Sequence, residues 1–159
     1  RSGDVDPGVL LHLLRHGYDV RDLDHLLNRS SGVLGLSGVS NDLRDVWHAA
    51  DDGNTDAAAA LEVYAYRIRK TIASMAAAMG GVDAVVFTGG VGENDARMRE
   101  AACKDLAFLG IGIDAAANAA GEARLTAHDA SVETWVIATD EEGRIAELTR
   151  ATVRERSTT

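Results

Sequence analysis

The stretch Val85–Asn94, VVFTGGVGEN, decides the fold class of this chain. Residues 83–88, DAVVFT, form an apolar run between turn residues, which predicts a buried β-strand. Residues 89–94 predict a tight loop, and a helix is expected to follow as far as Leu106. Glycines directly after a strand allow close approach of a ligand, and the next helix N-terminus offers unpaired N–H groups. The stretch is therefore a candidate nucleotide-binding loop, although a plain strand-to-helix turn is the alternative, since neither GxGxxG nor a Walker loop is present.

The sequence on the carboxyl side continues the alternation of strands and helices. Residues 108–113 alternate strand-like residues around glycines, and residues 132–138 predict a second clear strand. A closing helix is expected over residues 139–155. On the amino side of the glycine stretch, the clearest helix is predicted over residues 54–79, with an apolar face that recurs at three- and four-residue steps. That face consists of Leu61, Tyr64, Ile68, Ile72, Met75 and Met79. The order of elements predicts an α/β fold.

The first forty residues predict two short helices and an ordered loop. Asp6 and Pro7 are typical of a helix N-cap and first turn, and Gly17 is placed to end that helix. Asp22 can begin a second helix. Residues 30–40 are rich in Ser and Gly but keep four aliphatic side chains, which a free linker would not need. We therefore expect this segment to fold as a loop against the core.

Composition bounds the classes of protein that the chain can belong to. Its 159 residues suffice for one domain, and the 46% apolar and 26% charged residues are typical of globular proteins. The net charge of −9, without a run of Lys and Arg, argues against a protein that binds nucleic acid through its phosphates. The single cysteine, Cys103, excludes an intrachain disulfide and fits a cytoplasmic setting. No apolar segment is long enough to span a bilayer, so no membrane partner is expected.

Three further clusters of polar residues are candidate sites, each with a purely structural alternative. Asp42 and Arg44 could contact a ribose or stack on a base, or could simply cap a helix as an ion pair. Residues 139–142, TDEE, lie where a strand meets a helix; their carboxylates suit Mg²⁺, and equally suit the helix dipole. Arg1, before a short Gly-Asp loop, could hold a transferring phosphoryl group, or could belong to a frayed terminus.

Other reactive side chains give weaker signals. His12 and His16 lie four residues apart on a predicted helix but lack a third metal ligand nearby, which favours a structural role. Cys103 is expected to be a small packing residue. No G-x-S-x-G elbow is present, so a hydrolase would lack its nucleophile.

The order of these motifs along the chain is more informative than any one of them. The ordered segments are RSGDVDPG (1–8), LLNRSSGVLGLSGVSNDLR (26–44), FTGGVGEN (87–94), LGIGID (109–114) and TDEE (139–142). Together they resemble the acetate kinase family from Arg1 to about Ala146. The resemblance implies an α/β, ribonuclease-H-like domain of the actin and sugar-kinase superfamily, incomplete relative to the full two-domain enzyme. Residues 1–139 would form a nucleotide-binding and dimerisation domain, and residues 140–159 a terminal helix that returns toward the N-terminal domain.

The resemblance also implies roles for particular residues. Arg1 matches the arginine that stabilises the phosphoryl group during transfer, and Glu141 matches the carboxylate associated with Mg²⁺. Val91 replaces the usual isoleucine of the glycine loop, a conservative change. The implied nucleotide-binding residues are Asp42, Leu43, Arg44, Gly90, Val91, Gly92, Glu93 and Asn94.

The implied function is reversible phosphoryl transfer from ATP to acetate, which gives acetyl phosphate and ADP. Mg²⁺ is the implied cofactor, and the implied partners are a second copy of the domain, in a cytoplasmic homodimer, and the N-terminal half of the enzyme. Because the family's N-terminal half does not precede Arg1, we expect a piece of a longer kinase that is inactive alone. The alternatives are a propionate kinase of the same family and a non-catalytic, truncated module that binds nucleotide or dimerises.

Overall fold

Helices dominate the computed structural model, which describes residues 1–157. The chain divides between Thr71 and Ile72 into two compact units. The elements of the first unit are α1 (Pro7–Arg15), α2 (Val20–Arg29), α3 (Gly32–Ser37), α4 (Leu43–Asp51) and the start of α5 (Thr55–Met79). The second unit contains the end of α5, β1 (Ala84–Phe87), α6 (Gly89–Asn94), α7 (Ala96–Cys103), α8 (Ala115–Ala120), β2 (Glu133–Val136) and α9 (Glu141–Ser157). The α/β fold class is therefore confirmed.

Local capping signals place the first two helices. Asp6 is the N-cap of α1 and accepts a hydrogen bond from the Gly8 N–H, as the sequence predicts. The second helix begins earlier than expected. Asp19 is its N-cap, and Asp22 lies within the first turn, where its carboxylate accepts from the Asp19 N–H and completes a capping box.

The expectation of a loop over residues 30–40 is wrong in part, because Gly32–Ser37 form helix α3. Gly38 ends that helix in the left-handed conformation, and Ser37 is buried, with its Oγ accepting from the Val39 N–H. The segment is ordered, as predicted. The helix was not predicted because the segment contains glycines, which lower helix propensity.

Helix α5 confirms the strongest helix signal and covers the predicted face as far as Ile72, with Tyr64, Ile68 and Ile72 half-buried. The buried residues of α5 are Ala57, Ala60, Leu61, Ala65 and Ala76. Of the predicted face only Leu61 is fully buried, and Met75 and Met79 are exposed. Alanine carries little hydrophobic signal, so periodicity favoured the larger side chains, whereas small ones allow the closest packing.

The sheet of the second unit consists of two parallel strands. Ala84 of β1 pairs with Glu133 of β2, and the register continues to Phe87 opposite Val136. Exposed and half-buried residues alternate along β1, so the expected fully buried strand is a half-buried one. Parallel pairing places the carboxyl ends of both strands at one edge of the sheet, where the candidate glycine stretch begins.

Two local expectations in this unit need correction, and one helix was not predicted. The tight loop over residues 89–94 is helical, and forms α6. Residues 108–113 form no regular strand: a 3₁₀ turn over 107–109 is followed by isolated bridges at Ile111 and Ile113. Helix α8 was not predicted, although Asp114 is its N-cap and Gly121 ends it in the left-handed conformation.

A small hydrophobic core supports the sheet edge. Its buried members are Cys103, Leu106, Ile111 and Val132, and Val85 and Phe87 of β1 pack against it. Cys103 is thus the packing residue that was expected. Within residues 1–157, no helix combines the length and apolar composition needed to cross a membrane.

Candidate functional site

The glycine stretch and the TDEE segment lie at the same edge of the sheet. The Ile137 N–H donates to the Phe87 carbonyl at 2.9 Å and extends the parallel ladder by one bond beyond β2. Residues 88–94 leave β1 at this edge, and residues 138–141 leave β2. The carboxyl ends of parallel strands are where α/β proteins usually bind ligands.

The Glu93 carboxylate joins these two segments. Its Oε1 accepts from the Gly89 N–H at 2.8 Å, and from the Thr139 N–H and hydroxyl, both at 3.0 Å. The hydrogen bonds from Thr139 and from the Gly89 N–H hold the pKa of Glu93 below its usual value. One carboxylate oxygen of Glu93 therefore links the start of α6 to Thr139 and stabilises the loop.

Arg99 supports the same loop from α7. Its guanidinium Nη1 donates to the Gly92 carbonyl at 2.9 Å and to the Glu93 carbonyl at 3.0 Å. Its Nε donates to Oδ1 of Asn118 in α8 at 2.8 Å. Only 3% of the Arg99 surface is exposed, and this burial lowers the pKa of the guanidinium. The glycine stretch is therefore anchored to two further helices.

Sequence reasoning missed Arg99, although a signal was present. Arg99 stands beside Met98 and at helical spacing from Ala102 and Cys103, all of which are buried. An arginine on the apolar side of a predicted helix is unusual, because buried charges require partners. That pattern could have marked Arg99 as a residue with a specific role.

Two glycines of α6 differ in their surroundings. A Cβ on Gly92 would lie 3.2 Å from the carbonyl carbon of Phe87, so the helix packs closely on the end of β1 there. A Cβ on Gly90 would meet nothing within 4 Å. Gly90 faces open space, which is where a ligand could approach the backbone.

Glu141 is the first residue of α9, and its side chain is exposed. The neighbouring Asp140 accepts from the Gly143 N–H at 2.9 Å and supports the first turn of the helix. Among residues 1–157, no three His, Cys, Asp or Glu side chains group as a metal site. A single exposed carboxylate fits Mg²⁺, which commonly uses one or two carboxylates and completes its shell with water and phosphate oxygens.

In the first unit, the Arg1 backbone is held against α2 and α3. The Ser2 N–H donates to the Leu27 carbonyl at 2.9 Å. Gly32 has a φ of +64°, and a Cβ there would lie 2.2 Å from the Arg1 carbonyl oxygen, so only glycine allows this approach. Arg1 lies at the wall of a cavity of about 530 Å³. The other lining residues include Gly3, Asp4, Asn41, Tyr64 and Arg67.

Asn41 lines this cavity, and Asp42 and Arg44 follow it within three residues of the sequence. Asp42 is the N-cap of α4: its Oδ1 accepts from the Arg44 N–H, and its carboxylate also pairs with the Arg44 guanidinium. Hydrogen bonds from Arg44 lower the pKa of Asp42 to about 2. Leu43, the first residue of α4, is half-buried. The capping interaction anticipated as the structural alternative is present, yet 86% of the Arg44 side chain is exposed and free to stack.

His12 of α1 interacts with His16, the residue that caps the C-terminal end of the helix. The rings of His12 and His16 stack with their centroids 4.0 Å apart, and His16 Nδ1 lies 2.7 Å from the His12 carbonyl oxygen. This geometry agrees with the structural role expected for the pair.

The chain matches a known family over most of its length. A family model described as "Acetokinase family" matches residues 1–147. An acetate kinase of Gloeobacter violaceus is 48% identical over 149 residues, and a propionate kinase of Citrobacter freundii is 51% identical over 148 residues. Each alignment covers 92% of this chain but 37% of the relative, so the chain spans little more than a third of their length.

Solved structures are similar to the fold as well. The crystal structure of Porphyromonas gingivalis acetate kinase superposes with a TM-score of 0.88 at 45% identity, covering 96% of this chain and 39% of that one. The acetate kinase of Entamoeba histolytica gives a TM-score of 0.84 at 30% identity, covering 94% and 40% of the two chains. These matches confirm the expected fold, an incomplete α/β domain of the actin-like kind.

Proposed function

The chain belongs to the acetokinase family, and we propose that it forms the C-terminal, nucleotide-binding part of an acetate kinase. The reaction would move a phosphoryl group reversibly between ATP and the acetate carboxylate, giving acetyl phosphate and ADP. One observation carries the proposal: the glycine stretch at the carboxyl end of β1 is fixed by Glu93 and Arg99, while Gly90 faces open space. A rigid, accessible backbone of this kind suits phosphate binding.

Direct phosphoryl transfer asks a protein mainly for positioning and charge stabilisation. We assign the backbone of Gly90, Val91 and Gly92, with Glu93 and Asn94, to the nucleotide phosphates. Glu93 acts by holding the loop to Thr139. The Asn94 side chain donates to the Gly90 carbonyl at 2.9 Å and helps to fix the same turn.

The adenosine part of the nucleotide is assigned to Asp42, Leu43 and Arg44. The Asp42 carboxylate accepts hydrogen bonds from Nε and Nη2, on one edge of the Arg44 guanidinium. Most of the Arg44 side chain remains exposed, so the planar face can stack on a base while its edge stays paired. Leu43 adds an apolar contact beside them.

Arg1 and Glu141 are assigned to the transferring group. The Arg1 guanidinium would stabilise negative charge on the phosphoryl oxygens, from its place beside the cavity of the first unit. Glu141 would hold Mg²⁺ through water. When bound, the ion would neutralise phosphate charge. This chain's own part is to orient Glu141 through the first turn of α9, which Asp140 supports.

A propionate kinase is the second candidate, because relatives at similar identity carry either name. The residues assigned above serve the nucleotide and the phosphoryl group, which both reactions share. A non-catalytic module remains the third candidate, in which the loop binds nucleotide without turnover.

A cytoplasmic homodimer is part of the same proposal. Large apolar side chains on α5 support an interface, since Tyr66, Met75 and Met79 are exposed. Light scattering on the full-length polypeptide would test it: a mass twice that of the chain is expected, and a monomer at working concentration would contradict the dimer.

The test of function is acyl phosphate formation by the full-length polypeptide that contains this sequence. With MgATP, we expect acetyl phosphate, trapped as its hydroxamate, at a higher kcat/KM than propionyl phosphate. A preference for propionate would select the second candidate. Nucleotide binding without either product would select the non-catalytic one.

Arg44→Ala tests the nucleotide assignment, and Arg21→Ala is its matched control. Both arginines are highly exposed, and each pairs with the N-cap aspartate two residues before it, Asp42 or Asp19. We expect Arg44→Ala to raise the KM for MgATP about tenfold, the loss of roughly one stacking or charge contact. Arg21→Ala should leave it unchanged. Equal effects of the two substitutions would contradict the assignment.

A further inference from the structure

We propose that Arg99 is a positioning residue of the nucleotide site, which fixes the backbone of α6 from beneath without touching the nucleotide. The inference rests on the proposed function, because it assigns to α6 the nucleotide phosphates. It adds a residue that lies outside the glycine stretch, on the following helix.

The conformation of α6 depends on hydrogen bonds other than those of its own backbone ladder. A six-residue helix leaves the carbonyls of its last turn without partners in the same helix. The Gly90 carbonyl accepts from the Asn94 side chain, and the Val91 carbonyl accepts from the Asp95 N–H. The next two carbonyls, of Gly92 and Glu93, both accept from Arg99 Nη1. Arg99 thus completes the carbonyl end of α6.

Fixing the carbonyls also fixes the amide groups. In a helical turn the C=O and N–H groups point in opposite directions along the axis. A hold on the Gly92 and Glu93 carbonyls fixes the last turn of α6, and through this short helix it also limits movement of the first-turn N–H groups that face a phosphate. A shift of about 1 Å in such a group can cost about 100-fold in rate or affinity.

The geometry requires an arginine at this position. The guanidinium serves two carbonyls through Nη1 and the Asn118 amide oxygen through Nε at the same time. The Asn118 side chain is itself fixed, because its Nδ2 donates to the Ala96 carbonyl at 2.8 Å. Lysine carries the charge at one point and cannot reproduce this planar arrangement.

The charge of Arg99 acts in the same direction as its hydrogen bonds. Arg99 is buried, so its charge is poorly screened by solvent. A guanidinium stays protonated at physiological pH even when burial lowers its pKa. The nearby Asp95 carboxylate offsets part of this charge, and the remainder favours an anion at the accessible side of α6.

The experiment compares Arg99→Met and Arg99→Lys with Cys103→Ala in the full-length polypeptide. Cys103 lies one turn further along α7 and packs in the hydrophobic core, so its substitution perturbs the same helix while the Arg99 hydrogen bonds to the Gly92 and Glu93 carbonyls are kept. For Arg99→Met, we expect the KM for MgATP to rise about 10- to 100-fold, as for loss of an outer-shell support. The KM for acetate should stay unchanged, and Arg99→Lys should be intermediate.

Hydrogen exchange of the backbone over residues 88–95 gives a readout that does not need activity. Faster exchange there in both Arg99 variants, but not in Cys103→Ala, is expected. If Arg99→Met does not fold, the inference is tested with Arg99→Lys alone, since lysine keeps the positive charge and most of the side-chain length.

Two results would overturn the inference: an unchanged KM for MgATP in Arg99→Lys and Arg99→Met, or loop exchange no faster than in Cys103→Ala. A wild-type polypeptide that neither binds MgADP nor forms an acyl phosphate would overturn the proposed function instead. In that case faster loop exchange in the Arg99 variants would still support the hold of Arg99 on α6.

Discussion

Gly90 and Gly92 lie two residues apart in α6 and tolerate a methyl group differently. At Gly92 the added Cβ would approach the Phe87 carbonyl carbon to 3.2 Å, so the helix or the strand end must shift. At Gly90 the Cβ would enter open space. We predict that Gly92→Ala destabilises the protein by about 1–3 kcal/mol, the cost of overpacking. Gly90→Ala should leave the melting temperature unchanged or slightly higher, because alanine is the better helix former.

For nucleotide binding, we predict that Gly90→Ala has the larger effect and Gly92→Ala the smaller one. A methyl group on Gly90 would occupy the space through which a phosphate approaches the backbone, so Gly90→Ala should weaken MgADP binding about tenfold or more. Calorimetric titration and thermal unfolding of both variants measure the two effects. Unchanged MgADP affinity in a stable Gly90→Ala protein would show that the open face of α6 is not the phosphate site.

At the level of single residues, the sequence predicted the roles that depend on residues nearby in the sequence. The Asp6 cap follows from the next two residues, and the pairing of Asp42 with Arg44 was anticipated as a structural alternative. The role of Arg99 could not be predicted in the same way. Its partner Asn118 lies nineteen residues away, and no local sequence pattern links the two side chains. The position of Arg99 on the apolar side of the predicted helix only suggests that its charge points inward, and the burial of α7 shows it.

Among the elements, the long helix and the two strands were predicted, whereas the short glycine-rich helices were not. Both α3 and α6 contain glycines that lower helix propensity, and packing rather than propensity stabilises them. The pairing of β1 with β2 could not be predicted from the sequence either. It joins residues almost fifty apart, and nothing local specifies its parallel register.

Helix α8 carries Asn118 and so supports Arg99, which gives it an indirect role in the proposed site. Its N-cap, Asp114, accepts from the Ala116 and Ala117 N–H groups at 2.9 and 3.0 Å. We predict that Asp114→Ala costs about 1 kcal/mol of stability and loosens α8. Asn118 would then hold Arg99 less firmly, and the KM for MgATP should rise by a few-fold.

Asp6→Ala is the matched control for that effect. Asp6 caps α1 in the first unit in the same way, so its loss should cost similar stability without changing the KM for MgATP. Asp114→Asn should behave as wild type, because asparagine caps a helix equally well. A KM change of the same size in Asp6→Ala and Asp114→Ala would mean that general destabilisation, not the position of Asn118, is responsible.

For the whole molecule, the family was predictable because five motifs occur in one order, and their spacing is a property of the complete sequence. The division into two units was not predicted, since α5 continues without a break across residue 71. The expected boundary near residue 140 stays a prediction.

The last prediction concerns what residues 1–159 can do without further sequence. The glycine stretch with its supports, Glu93 and Arg99, lies within one unit, so the isolated chain should bind MgADP, though weakly. Transfer needs both reacting groups to be held and water to be excluded, and this chain spans little more than a third of its relatives. We therefore expect no acetyl phosphate from the 159-residue chain and rapid formation by the full-length polypeptide, measured at equal concentrations of MgATP and acetate. Turnover by the isolated chain would contradict this division and would place the whole acetate site within these residues.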